Sequence, residues 1–159
     1  MMRYANKKKQ FYRPTWGEVN LSAIEYNFRQ VKRLTKNKAR ILVALKADAY
    51  GHGAVEVAER LTRCGVDYFG VATIQEAIEL RANNIRTPVL LLTSACADDV
   101  DVFLKYSIIP TVADKGTGIA LNNLLKRRRK KMPVHIKIDT GMGRIGVWHE
   151  EAVSFVKRI

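Results

Sequence analysis

Cationic side chains follow two apolar segments of this sequence, at points where a charged group is costly to bury. Lys46 ends the apolar run in VALKADAYGHG, Lys137 and Asp139 end VHIKID, and Arg144 follows in the loop GMGRIG. A desolvated lysine amine suits Schiff-base chemistry with a carbonyl, whereas a lysine at a strand end can also extend its ammonium into solvent. The spacing alone leaves both interpretations of Lys46 open.

The loop after Lys46 contains further groups with more than one interpretation. Tyr50 could hydrogen-bond a phosphate or a substrate, or it could simply pack against the fold. Gly51 and Gly53 allow a ligand to approach the backbone closely, and they equally suit a tight turn before a helix. His52 is either a helix-start residue or a catalytic base. The loop is therefore a candidate ligand site.

The glycines at positions 141, 143 and 146 match the pattern G-x-G-x-x-G, which is typical of dinucleotide-binding loops when it joins a strand to a helix. We reject that interpretation because the preceding strand carries polar side chains. In addition, Val147 and Trp148 separate the glycines from the next helical pattern. A loop that brings Arg144 back toward Lys137 explains the glycines equally well.

The elements that must position these residues alternate between strand-like and helix-like segments. The predicted strands are ARILVALK, DYFGVA, PVLLLT, IIPTVA and PVHIKID, each followed by a helical pattern. This rhythm predicts an α/β fold, a parallel (β/α) barrel of the TIM type with about five of its eight units present. Active groups of such barrels lie at the carboxyl ends of the strands, so Lys46, Lys137, Asp139 and Arg144 are expected on one rim. His135 shares a strand face with Lys137 and Asp139.

The N-terminal segment departs from this rhythm. TWGEVNL alternates like a half-buried strand, and Ser22 is predicted to cap a helix that extends to about Thr35. We expect residues 1–14 to form a basic tail and residues 15–159 to form the partial barrel domain. No apolar run approaches the roughly 20 residues that span a bilayer, and the basic start lacks the apolar segment of a secretory signal. A cytoplasmic location is therefore expected.

The formal charge of +13 is concentrated in two runs, Lys7–Lys9 and Lys126–Lys131. Such runs can bind the phosphate backbone of a nucleic acid. The longer run follows an apolar helical pattern and precedes Met132–Pro133, which favours a solvated helix end whose cations complement the helix dipole. A nucleic-acid or acidic-partner site is the alternative. Cys64 and Cys96 lack the spacing of a disulfide framework or a metal site, so no metal is predicted.

Three segments together resemble the alanine racemase family. VALKADAYGHG, VATIQEAIELR and HIKIDTGMGRIGV follow its order and spacing, and RPTWGEVNLSAIEYNFRQV resembles its start. The resemblance covers about residues 13–150. It implies a pyridoxal 5'-phosphate-dependent isomerase with an N-terminal (β/α)8 barrel and a C-terminal β domain. Such an enzyme would act in the cytoplasm as a homodimer and interconvert L-alanine and D-alanine for cell-wall precursors.

The resemblance also implies roles for individual residues. Lys46 would hold the cofactor covalently and act as the base on one face of the substrate, while Tyr50 would help to bind the cofactor phosphate. Arg144 would hydrogen-bond the phenolic oxygen of the cofactor. Lys137 matches a lysine that is often carbamylated in the family, and a carbamate would pair with Arg144.

The family takes its second base, a tyrosine, and most other cofactor ligands from regions that would follow Ile159. This chain would therefore carry about half a site, and we expect it to be inactive on its own. Two alternatives remain at this stage. One is a related barrel enzyme with the same cofactor, either a racemase of broader specificity or an amino-acid decarboxylase. The other is a non-catalytic basic module that binds an acidic partner.

Overall fold

The computed structural model describes residues 17–159, so the predicted tail at 1–14 and the first two residues of TWGEVNL lie outside the described part. Helices and strands alternate along the chain. The helices are α1 (Leu21–Leu34), α2 (Ala54–Arg63), α3 (Ile74–Ala82), α4 (Val100–Tyr106), α5 (Lys115–Arg127) and α6 (Ala152–Val156). The strands are β1 (Leu42–Ala44), β2 (Tyr68–Val71), β3 (Val89–Ser94), β4 (Ile108–Val112), β5 (His135–Ile136), β6 (Ile138–Asp139) and β7 (Val147–Trp148).

The first five strands form one parallel sheet in which spatial order follows chain order, β1-β2-β3-β4-β5. A doubly wound sheet reverses its strand order at a switch point, whereas a barrel adds each strand beside the last one. The predicted fold class, a partial barrel of the TIM type, is therefore confirmed. Strands β6 and β7 pair with each other in a separate two-stranded parallel sheet.

The two faces of the large sheet differ in what covers them. Phe69 and Val71 of β2 are fully buried beneath the helices. On the opposite face, a Cβ atom placed on Gly70 would lie 2.9 Å from Leu42 and 3.0 Å from Leu92, so three strands pack together there. The rings of Tyr68 and His135 approach to 6.1 Å between centroids, although β3 and β4 separate their strands. The sheet is therefore rolled, with this face on the inside of the curve.

The predicted N-terminal strand TWGEVNL is wrong over the residues that the structure describes. Residues 17–20 form no strand, and Leu21 already begins α1. Asn20 caps this helix in place of the predicted Ser22, because its Oδ1 accepts hydrogen bonds from the backbone N–H groups of Ser22 at 3.0 Å and Ala23 at 3.1 Å. A side chain just before a helix reaches the unpaired N–H groups of the first turn, and Ser22 lies already inside that turn.

The long basic run begins in the last turn of α5, as the helix-end interpretation predicts. The helix itself ends at Arg127 rather than near position 131, and Arg129 takes a left-handed conformation with φ 51° just beyond it. Arg128 donates hydrogen bonds through Nε and Nη2 to the two carboxylate oxygens of Asp101, both at 2.7 Å. Part of the run is thus engaged within the fold. Across residues 17–159, no helix combines the length and apolar character needed to cross a membrane.

Candidate functional site

Lys46 lies at the carboxyl-end rim of the large sheet, two residues beyond the end of β1. The predicted strand through Lys46 is too long, because Leu45 leaves the extended region with φ −110° and ψ 6°. The Lys46 side chain is half-buried, and its Nζ lies 5.6 Å from the centre of the Tyr50 ring. None of the ion pairs among residues 17–159 involves Lys46, so its amine has no carboxylate partner there.

The segment Lys46–Gly51, here called the lysine turn, has an unusual backbone. The four residues from Ala47 to Tyr50 all have φ between 51° and 55°, so the chain makes a left-handed turn. Each such residue costs roughly 1 kcal/mol relative to a right-handed conformation. Gly51 and Gly53 continue with φ 81° and 85°, and α2 begins directly afterwards, which confirms a tight turn before a helix. Conformations of this kind persist only where neighbouring groups hold them in place.

Two carboxylates hold the lysine turn. Asp48 accepts a hydrogen bond from the backbone N–H of Ala54 at 2.6 Å, which ties the turn to the start of α2. Glu76 accepts a hydrogen bond from the backbone N–H of Ala47 at 2.8 Å through Oε1. Ala49 is buried at the centre of the turn. The peptide that follows Lys46 is therefore fixed by a side chain from the start of α3.

Glu76 belongs to the first turn of α3 and also closes the loop after β2. Its Oε2 accepts hydrogen bonds from the N–H groups of Ala72 at 2.7 Å and Thr73 at 3.1 Å, and Thr73 Oγ1 accepts one from the Glu76 N–H at 3.2 Å. Thr93 at the end of β3 donates its hydroxyl to the Ala72 carbonyl at 2.9 Å. The loops that follow β1 and β2 are thus joined to each other and to the end of β3 along one rim.

Sequence reasoning missed both Asp48 and Glu76. The spacing of Thr73 and Glu76 is a readable signal, because a Thr followed three residues later by Glu is a capping box. The contact between Glu76 and Ala47 joins residues 29 positions apart and has no local signal. Asp48 caps α2 from six positions before Ala54, which lies outside the usual capping spacing.

Lys137 lies between β5 and β6, on the same rim as Lys46 but at the opposite border of the large sheet. Its N–H donates to Val112 O and its carbonyl accepts from Val147 N, both at 2.9 Å, so its backbone links the two sheets. The half-buried side chain donates through Nζ to Ile138 O at 3.2 Å. The predicted continuous strand PVHIKID is therefore wrong, since it is interrupted where Lys137 changes partners.

Asp139 closes the glycine-rich loop. It is 9% exposed, and its carboxylate accepts hydrogen bonds from Gly141 N at 2.9 Å and Gly143 N at 3.0 Å. These backbone N–H groups hold the pKa of Asp139 below its ordinary value, so the group is a loop anchor. A Cβ atom on Gly146 would lie 2.8 Å from Asp139 N, so only glycine fits there. Because β7 rather than a helix follows, rejection of the dinucleotide interpretation is confirmed.

The remaining predicted site residues are more exposed. Arg144 is exposed in the loop between β6 and β7, and no hydrogen bond or ion pair within the described chain joins it to Lys137. Tyr50 is 60% exposed beside Lys46. His52 Nδ1 lies 2.8 Å from Ala49 O, so its ring is engaged within the lysine turn. The structure thus brings Lys46 and Tyr50 together, while Lys137 and Arg144 share the rim without contacting each other.

Residues 19–159 match the family model described as alanine racemase, N-terminal domain. The chain belongs to this family. Alanine racemase from Halothermothrix orenii is 42% identical to it over 151 residues, which are 95% of this chain and 40% of that relative. The structure of alanine racemase from Clostridium difficile 630 superposes with a TM-score of 0.85 at 40% identity, covering 93% of this chain and 39% of that one.

A further solved relative is alanine racemase from Bartonella henselae with covalently bound pyridoxal phosphate. It is 29% identical, with a TM-score of 0.77, and the match covers 87% of this chain and 39% of that one. The chain thus spans about two fifths of the length of these alanine racemases. The Lys46 amine, which has no carboxylate partner among residues 17–159, a neighbouring phenol and two further cations on the rim fit the aldehyde and the phosphate of such a cofactor.

Proposed function

We propose that this chain is the barrel portion of a pyridoxal 5'-phosphate-dependent alanine racemase, with residues 15–159 contributing the partial barrel domain. One observation supports this above all others. Lys46 is a half-buried residue at the carboxyl-end rim of a barrel sheet, and its amine has no carboxylate partner in the described chain. The covalently bound pyridoxal phosphate of the Bartonella henselae relative adds support for the cofactor.

In this proposal Lys46 would hold the cofactor covalently through Nζ, and its amine would move a proton at one face of the alanine α-carbon. The cofactor supplies an electron sink for the negative charge that proton removal leaves behind. Tyr50 would donate its hydroxyl to the cofactor phosphate, and Arg144 would donate to the phenolic oxygen. A carbamylated Lys137 would accept from Arg144 and orient it. All four groups belong to the rim described above.

Racemisation also needs a proton group on the opposite face of the substrate. We assign that group to a part of the enzyme outside these 159 residues, in a homodimer that supplies D-alanine for cell-wall precursors in the cytoplasm. The short span of this chain relative to the alanine racemases it matches supports that division.

The decisive experiment traps the cofactor on the 159-residue chain. Incubation with pyridoxal phosphate, reduction with borohydride and peptide mapping should give one dominant reduced adduct, on Lys46. The variant Lys46→Arg should lose it, whereas Lys38→Arg, at an exposed lysine, should retain it. Adducts spread over many lysines, or none on Lys46, would show that the Schiff-base assignment is wrong.

The same preparation tests the division of the site. With pyridoxal phosphate and L-alanine, the 159-residue chain should form no D-alanine, measured by chiral chromatography over a day. In this proposal the described residues supply a proton group for only one face of the substrate. Measurable turnover would contradict the assignment of the second group to another part of the enzyme.

A further inference from the structure

Glu76 contacts the lysine turn without contacting the side chain of Lys46. Its Oε1 accepts a hydrogen bond at 2.8 Å from the N–H of Ala47, which belongs to the peptide that directly follows Lys46. Its Oε2 accepts the N–H groups of Ala72 and Thr73 in the next loop at 2.7 and 3.1 Å. One carboxylate therefore fixes two rim loops at once, and each oxygen serves a different loop.

The lysine turn needs such a restraint. Four consecutive residues in the left-handed region make it costly, and the peptide between Lys46 and Ala47 is where this conformation begins. If this peptide rotated, the Cα–Cβ direction of Lys46 would change with it. The amine lies at the end of a long flexible side chain, so a small change at the backbone displaces Nζ considerably.

We infer that Glu76 is a positioning residue that fixes the lysine turn and thereby the direction of the Lys46 amine. The consequence for the cofactor rests on the proposed function of Lys46, whereas the hold on the turn does not. A carboxylate has acceptor sites on both oxygens and so can serve both loops, which an amide side chain cannot do.

Glu76→Gln separates the two roles of the residue. A glutamine at the third position of a helix still supports a capping box, so its amide oxygen can retain the contacts with Ala72 and Thr73. Its NH2 group then faces the N–H of Ala47, and two donors cannot bond each other. Glu79→Gln is the matched control, because Glu79 lies exposed on the same helix.

The hold on the turn is measured without cofactor, by hydrogen exchange of backbone amides followed by NMR. In Glu76→Gln we expect the Ala47 amide to exchange about tenfold faster, since one hydrogen bond to a charged acceptor is lost. The Glu79→Gln variant should match the wild type. Unchanged exchange at Ala47 in Glu76→Gln would overturn the inference, whatever the outcome with pyridoxal phosphate.

The effect on the amine is measured by the rate of borohydride-trapped labelling of Lys46 with pyridoxal phosphate. We expect labelling of Lys46 to be about tenfold slower in Glu76→Gln, with labelling of other lysines and the melting temperature close to those of Glu79→Gln. Faster exchange at Ala47 with an unchanged labelling rate would overturn the positioning role. Absence of labelling in the wild type would instead overturn the proposed function.

A second variant covers the case in which Glu76→Gln does not fold. Glu76→Asp keeps the negative charge and an N-terminal capping group but is one methylene shorter, so it cannot reach both loops. We expect the same faster exchange at Ala47 and the same slower labelling. Wild-type behaviour of a folded Glu76→Asp variant would overturn the inference.

Discussion

At the scale of single residues, Asp139 couples the glycine-rich loop to pH. The N–H groups of Gly141 and then Gly143 are the main causes that lower its pKa from the ordinary 3.8. A lowered pKa in the folded state means that the contribution to stability is fully present above the ordinary value. It is lost as pH falls below that value toward the lowered one.

Replacing Asp139 with asparagine should remove this dependence. We expect Asp139→Asn to be less stable than the wild type at pH 7, with a difference that shrinks as the pH falls from about 4 toward 2. Urea unfolding followed by circular dichroism across this range provides the measurement. Asp98→Asn is the control, since Asp98 is exposed. A difference between wild type and Asp139→Asn that stays constant with pH would contradict the expectation.

At the scale of elements, Arg81 fastens the amino-terminal ends of two strands to a helix. Its guanidinium donates to the carbonyls of Tyr106 at 2.8 Å, Ile85 at 2.7 Å, Thr87 at 2.9 Å and Ser107 at 3.0 Å. All four partners are neutral carbonyls, two in the segment between α3 and β3 and two where α4 meets β4. Burial is the main cause that lowers the pKa of Arg81. Arg81 therefore serves as a hydrogen-bonding clamp.

Removal of this clamp should destabilise the fold. Arg81→Met keeps most of the aliphatic packing but leaves four carbonyls without their donor, so we expect a loss of about 2–4 kcal/mol in the free energy of unfolding. Arg86→Met is the matched control, because Arg86 is an exposed arginine whose like charge only adds to the lowering of the Arg81 pKa. Its effect should stay within about 0.5 kcal/mol. Equal losses in the two variants, measured by urea unfolding, would refute the clamp.

Several elements could be predicted from sequence because their signals are local. The apolar runs of β2, β3 and β4 predict strands, because a strand covered by helices must carry apolar side chains. Phe69 and Val89 in these strands are indeed fully buried. The lysine turn could not be predicted. Its left-handed conformation depends on Glu76, which is distant in sequence, and the residues Ala47 to Tyr50 include no glycine that would indicate positive φ.

At the scale of the whole molecule, the barrel rule predicted one rim for the candidate site, and the structure places Lys46 and Lys137 on it. Which side chains touch could not be predicted, because Lys46 follows one border strand of the sheet and Lys137 the other. Their separation depends on how far the sheet curls. The contact between Tyr68 and His135 shows that it does curl, and no local pattern encodes that contact.

The unpaired border of the large sheet should cause the 159-residue chain to associate with itself. Strand β1 has no partner on its outer side within residues 17–159, and Leu42 on the inner face of the curve is 38% exposed. An unpaired parallel strand beside exposed apolar groups is a template for pairing with another copy. We therefore expect the chain to self-associate at micromolar concentrations in sedimentation velocity.

A charge at this border should weaken the association, because pairing another copy against β1 would bury the ammonium group. Leu42→Lys should raise the concentration for half-association by about tenfold, equivalent to roughly 1.4 kcal/mol. Leu34→Lys makes the same chemical change at the end of α1, where Leu34 is 78% exposed and lies outside the sheet. It should sediment like the wild type. A monomeric wild type, or equal shifts in the two variants, would show that the border strand does not drive association.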